Sequence, residues 1–140
     1  TAAEWALRAS KDEQTREAQL RDTLWARIAQ VFPGAQQNGD PTRRLANTLN
    51  VSFTGFDSET MLMALDLEGV CASSGSACMV GSVVASHVLL AMGLPMGRAS
   101  FAVRFSLGKQ TTAEEIAHAA EAMERVATRL NKAVSAYAVA

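Results

Sequence analysis

The chain has 140 residues, of which 49% are hydrophobic and 19% charged, and its formal net charge is −1. That profile excludes an intrinsically disordered chain and gives no electrostatic footprint for nucleic acid or an anionic membrane surface. The length fits one domain whose core buries about two-thirds of the unfolded surface.

In chain order, the first 31 residues read as a helix, with Leu20, Leu24, Ile28 and Val31 at helical spacing. FPGAQQNGDP, Phe32 to Pro41, ends it with turn signals. NTLNVSF, Asn47 to Phe53, alternates: Leu49, Val51 and Phe53 share one face, Asn50 and Ser52 the other. That pattern predicts a half-buried strand. After a turn at Gly55, Asp57 or Ser58 caps a short helix whose apolar face is Met61, Leu62 and Leu65, and Gly69 closes it. A short extended piece, Val70 to Ser74, runs into the uncharged stretch CASSGSACMVGS, Cys71 to Ser82. Val84, Val88, Leu89 and Met92 then form a helical stripe, closed by Gly93 and Pro95. SFAVRFSLG, Ser100 to Gly108, is a second alternating strand, with Phe101, Val103, Phe105 and Leu107 on one face and Ala102, Arg104 and Ser106 on the other. Thr111 with Glu114 and Thr112 with Glu115 make overlapping capping boxes. The helix they open repeats Ile116, Met123, Leu130 and Tyr137 at heptad spacing, with Val126 and Val134 filling the stripe. Few strands and long terminal helices imply an α+β fold, a small and mostly antiparallel sheet with helices packed on one face.

Two cysteines are too few for a disulfide framework, which suits free thiols in a reducing, cytoplasmic compartment. The opening TAAEWALRASKDEQTREA is charged and helical rather than a secretory leader. Gly69 to Gly97 carries no Asp, Glu, Lys or Arg, but its five serines and five glycines make it too polar for a membrane span. The sequence opens on Thr1 rather than Met, and we expect a segment of something longer.

Cys78 is the first candidate for chemistry. Only a few per cent of an ordinary thiol is ionised at neutral pH, and no basic residue adjoins this one. Activation must come from another domain, a substrate amine or a cofactor. Free cysteines are commonly small buried hydrophobes, yet Gly75, Gly81 and four serines surround Cys78. From the residues alone both roles stay open. Cys71, beside Val70 and Ala72, reads as structural, and Cys71, Cys78 and His87 are one ligand short and oddly spaced for zinc, so no metal is expected. Arg104 stands mid-strand opposite an apolar face, either solvated or aimed at an anion such as a carboxylate. His87 and His118 read as helix-surface residues, and the six methionines mainly as core.

Taken together, SSGSAC at Ser73 to Cys78, SHVLLAMG at Ser86 to Gly93, VRFSLGKQTTAEEI at Val103 to Ile116 and RLANTLNVSF at Arg44 to Phe53 resemble the cysteine desulfurases. These are pyridoxal-phosphate enzymes of the class V aminotransferase group. The resemblance implies the small C-terminal domain of a fold-type I pyridoxal-phosphate enzyme, here residues 1–140 as a single domain without the large cofactor-binding domain. It implies that Cys78 attacks the sulfur of L-cysteine held as a cofactor adduct, that sulfur leaves as an enzyme persulfide, and that alanine is released. Arg104 matches the arginine that grips the substrate carboxylate. Ser74, Gly75, Ser76, Ala77, Met79, Val80 and Gly81 match a mobile catalytic loop that serves bulky sulfur-acceptor proteins, for iron–sulfur clusters or thiolation. A homodimer is implied for the longer enzyme, with no nucleic acid or membrane partner. The Schiff-base lysine is not expected here: Lys11, Lys109 and Lys132 do not follow a histidine, and no glycine-rich phosphate cradle opens a helix. No cofactor-binding residue is assigned to this chain, which alone is expected to be inactive and to self-associate through faces meant for other domains. The stretch SVVASH, Ser82 to His87, departs from the acidic residue and proline that relatives often carry there. The alternatives are a free-standing sulfur-carrier module and another class V lyase or aminotransferase.

Overall fold

The computed structural model describes residue 4 and residues 11–74 and 85–137. Helix α1 (Lys11–Val31) leads into β1 (Ala35–Gln37) and β2 (Thr48–Phe53). Helix α2 (Ser58–Asp66) follows, then two five-residue helices, α3 (His87–Ala91) and α4 (Met96–Ser100), then β3 (Ala102–Ser106) and the long α5 (Ala113–Tyr137). The strands form an antiparallel sheet in the order β1-β2-β3. The chain is α+β, as its patterning predicts.

Alternation sets the sheet's two faces. Leu49, Val51, Phe53, Val103, Phe105 and Leu107 are buried against α1, α2 and α5, where Leu24, Ile28, Met61, Leu65, Met123 and Val126 complete the core. Phe32 and Phe53 meet edge to face with ring centroids 5.2 Å apart. The capping signals act as local chemistry requires. Asp57 accepts from the backbone N–H of Thr60 at 2.9 Å, and that bond holds its carboxyl below the usual range. Thr112 and Glu115 form a reciprocal capping box, whereas the Thr111 hydroxyl accepts from Gly108 and closes the turn before α5. Gly69 and Gly93 have φ of +77° and +85°. Each ends its helix with the paired bonds of a Schellman motif, Val70 N to Leu65 O and Leu94 N to Leu89 O being the outer ones.

Four expectations change. The segment Phe32 to Pro41 contains a strand: β1 pairs with β2 in the register Ala35↔Phe53, although AQQ has no apolar alternation to announce it. The helices do not all lie on one face, because α4 packs on the polar face and Ala85, Leu89, Ala99 and Ala102 form a small second cluster there. Val88 and Met92 of the expected stripe are 53% and 52% exposed, since α3 is a single short turn that buries only Leu89. Met63 and Met96 are also exposed, leaving Met61 and Met123 as the core methionines among the described residues.

Candidate functional site

The polar face of the sheet carries the candidate site. β2 and β3 pair Asn50 with Arg104 and Ser52 with Ala102, so these side chains share the face opposite the core. Arg104 also forms an isolated antiparallel bridge with Ser73. The Ser73 N–H donates to the Arg104 carbonyl at 3.0 Å, and the Arg104 N–H donates to the Ser73 carbonyl at 2.6 Å. The extended piece from Val70 to Ser74 is therefore pinned at one residue rather than forming a strand.

That bridge fixes one end of the segment 75–84. Ser74 is exposed just beyond it. The other end, Ala85, is buried in the cluster with Ala102, two residues before Arg104 on the same face. The two ends of the cysteine-bearing segment thus meet β3 at Arg104 itself and near Ala102. Cys78, Gly75, Ser76, Ala77, Met79, Val80 and Gly81 lie outside the described residues.

The Arg104 side chain is exposed, and no carboxylate among the described residues pairs with it. Among the described residues it is an unpaired, donor-only cation on the sheet face where α4 packs, with Ser73 bridged to its backbone. Cys71, read from the sequence as structural, is exposed with a free thiol. His87 and His118 are exposed on their helices.

A polar network beside Arg104 was not legible in the sequence. Asn38 is buried, 7% exposed, and uses its whole side chain. Its Oδ1 accepts from Arg98 Nε at 2.8 Å, and its Nδ2 donates to Asn50 Oδ1 and Ser52 Oγ, each at 2.7 Å. Ser52 Oγ, 2% exposed as a residue, donates onward to the Arg98 carbonyl at 2.8 Å. Arg98 also donates to the Gln37 carbonyl at 3.0 Å. The ring ties α4 to β1 and β2. NGD at Asn38 reads locally as a turn, and the one available signal was the polar half of the β2 alternation, Asn50 and Ser52. Next to it, Asp40 folds the chain back by accepting from the backbone N–H groups of Arg43 and Thr42, which bring its carboxyl down to about 2.

The described residues do not fit pyridoxal phosphate. Lys109 lines a shallow groove with Gln110 and Glu115, and Lys132 one with Glu68, Arg125 and Arg129; Arg104 lines neither. Lys11 opens α1. Among the described residues there is no group of three or more potential metal ligands, and no helix is long and apolar enough to cross a membrane.

Comparison with known proteins places the chain in a family. The family model described as aminotransferase class-V matches residues 1–118. The chain belongs to the class-V aminotransferase family. Cysteine desulfurase 2 of Trichormus variabilis (strain ATCC 29413 / PCC 7937) is 43% identical over 136 residues, 97% of this chain and 34% of that protein. Cysteine desulfurase NifS of Azotobacter vinelandii is 48% identical over 115 residues, 82% of this chain and 29% of that protein. Among solved structures, a NifS-like protein from Rickettsia africae ESF-5 superposes with a TM-score of 0.70 at 25% identity, covering 84% of this chain and 30% of the other. A second NifS-like protein gives 0.75 at 27% identity, covering 89% and 31%. The chain therefore spans about a third of the length of these relatives.

Proposed function

We propose that residues 1–140 are the small-domain portion of a longer cysteine desulfurase, with Cys78 as sulfur acceptor and Arg104 as the grip on the substrate carboxylate. The observation that carries this is Arg104, unpaired among the described residues, with both ends of the Cys78 segment returning to β3 beside it. The overall step balances without an external oxidant. The Cys78 thiol and L-cysteine give a Cys78 persulfide and L-alanine; the substrate Cβ–S bond breaks, the S–S bond forms, and Cβ gains a hydrogen.

A guanidinium binds a carboxylate through two parallel N–H donors, which fixes the plane of the amino acid as well as its position. Cys78 lies four residues beyond Ser74. At about 3.5 Å per residue its reach from that foot is about 14 Å, enough to meet a substrate held at Arg104 and an acceptor outside. Pyridoxal phosphate would supply the electron sink at the substrate's α-carbon, and it would be held by residues beyond those described. L-Cysteine is the substrate in this reading, a sulfur-acceptor protein for iron–sulfur clusters or thiolation is the partner, and the longer enzyme works as a cytoplasmic homodimer.

The test is intact mass after incubation with L-cysteine and pyridoxal phosphate, comparing this chain with the product of its complete gene. Sulfur gained on Cys78 only in a longer product supports the proposal. Sulfur gained by the 140-residue chain alone would instead favour a carrier module, and no gain in either would refute desulfurase activity.

A further inference from the structure

The hydrogen-bond ring beside Arg104 has a fixed polarity. An arginine side chain can only donate. The Asn38 atom facing Arg98 Nε must therefore be the carbonyl oxygen, and its other end must be the amide nitrogen. That nitrogen donates to Asn50, so the Asn50 atom it meets must be an oxygen. The orientation of both amides is thus set by Arg98, not by local preference. One consequence lies at the end of the relay. Asn50 Nδ2 keeps two N–H donors that meet no acceptor among the described residues. Asn50 is only partly buried and is the direct cross-strand partner of Arg104. Opposed residues on one sheet face have their Cβ atoms about 5 Å apart.

We propose that Asn50 is a second donor to the substrate's α-carboxylate, beside Arg104, and that Arg98 is the positioning residue that turns the Asn50 amide outward. The proposal rests on the reading that Arg104 receives that carboxylate. A carboxylate offers about four lone-pair sites, and a bidentate guanidinium uses two. An N–H from Asn50 fills a further site from the neighbouring strand, holding the carboxylate at two points of a rigid sheet rather than by one long side chain. With the opposite amide orientation Asn50 would present an oxygen and repel the anion. Arg98 thereby links α4, the second helix after the cysteine segment, to the substrate grip.

The experiment is steady-state kinetics of the holoenzyme encoded by the complete gene, with L-cysteine, for Asn50→Leu, Arg98→Leu and Arg104→Ala. Losing one hydrogen bond to a charged group should raise KM about tenfold in Asn50→Leu, with kcat changed less than about twofold. Arg98→Leu should show a smaller rise of the same kind, because the Asn38 and Asn50 amides can then flip. Inhibition by L-alanine should weaken in parallel, while inhibition by ethylamine, which lacks the carboxylate, should not change; a merely structural defect would weaken both. A raised KM in Arg104→Ala with wild-type KM in Asn50→Leu overturns this inference and leaves the desulfurase reading standing. Unchanged KM in Arg104→Ala overturns that reading and this inference with it. Should Asn50→Leu fail to fold, the unsubstituted holoenzyme labelled with 15N-asparagine decides. Its Asn50 side-chain amide must shift with L-alanine and not with ethylamine, and an amide unmoved by L-alanine overturns the proposal.

Discussion

Replacing Asn38 by Ala tests whether the ring holds the polar face together. Asn38 is 7% exposed, and truncation removes three side-chain hydrogen bonds, one of them from the Arg98 guanidinium. Its backbone bond to the Asn50 carbonyl, at 2.9 Å, survives. Two neutral bonds at about 1 kcal/mol each and one charge-assisted bond at about 2 give an upper sum near 4 kcal/mol. Asn50 and Arg98 are partly exposed and recover water, and Ser52 keeps its bond to the Arg98 carbonyl, so about 3 kcal/mol is the expected loss. A domain of ordinary stability, about 5–15 kcal/mol, stays folded after that. With an m-value of about 2 kcal/mol/M, the urea midpoint followed by circular dichroism falls by about 1.5 M at unchanged m. A shift below about 0.5 M would refute the reasoning, since the ring would then be no better than hydration. Arg98→Leu in the Asn38→Ala background should cost less than in the wild type, because the acceptor it served is gone.

Gly69→Ala and Gly93→Ala should each lower stability by about 1 kcal/mol through backbone strain alone: φ is +77° and +85° there, and a new Cβ meets nothing within 4 Å. Gly97→Ala, inside α4 with open space and no positive φ, should be neutral or slightly stabilising, and equal losses at all three glycines would contradict the strain argument. Asp57 and Asp40 titrate below their unfolded values, so the stability they contribute is complete above about pH 4 and is lost as pH falls through their folded values, for Asp40 about 2. A urea midpoint that stays flat from pH 6 to pH 2 would contradict that. The exposed Cys71 thiol should alkylate in the native state, and Cys71→Ser should leave sulfur loading on Cys78 intact, whereas Cys78→Ser abolishes it. Thr112→Ala should cost about 1 kcal/mol at the start of α5, read by thermal unfolding.

The elements set by local chemistry were legible in the sequence. Alternation in NTLNVSF and SFAVRFSLG assigned both faces of β2 and β3, because strand side chains alternate whatever surrounds them. Asp57, Gly69, Thr112 and Glu115 marked helix ends because caps are made within a few residues of chain. Arg104 stood out as a charge in an apolar alternation. Strand β1 did not, because AQQ pairs only when the edge of β2 is presented to it, and an edge is a tertiary object. The short α4 was hidden for a related reason, and α3 was legible as a helix but not in its burial: both rest on the small cluster of Ala85, Leu89, Ala99 and Ala102, whose side chains carry little signal of their own.

Sequence by itself determined the fold class, the family resemblance, and Cys78 and Arg104 as candidates, since those rest on residue type and spacing along the chain. Tertiary structure alone decided that Ser73 is pinned to Arg104, that both ends of the cysteine segment return to β3, and that Arg98 orients Asn50 through Asn38. Arg98 and Asn38 are 60 residues apart. No local pattern records such a pair; only the packing of α4 on the polar face of the sheet brings a donor-only side chain to a buried amide and so fixes which way that amide points.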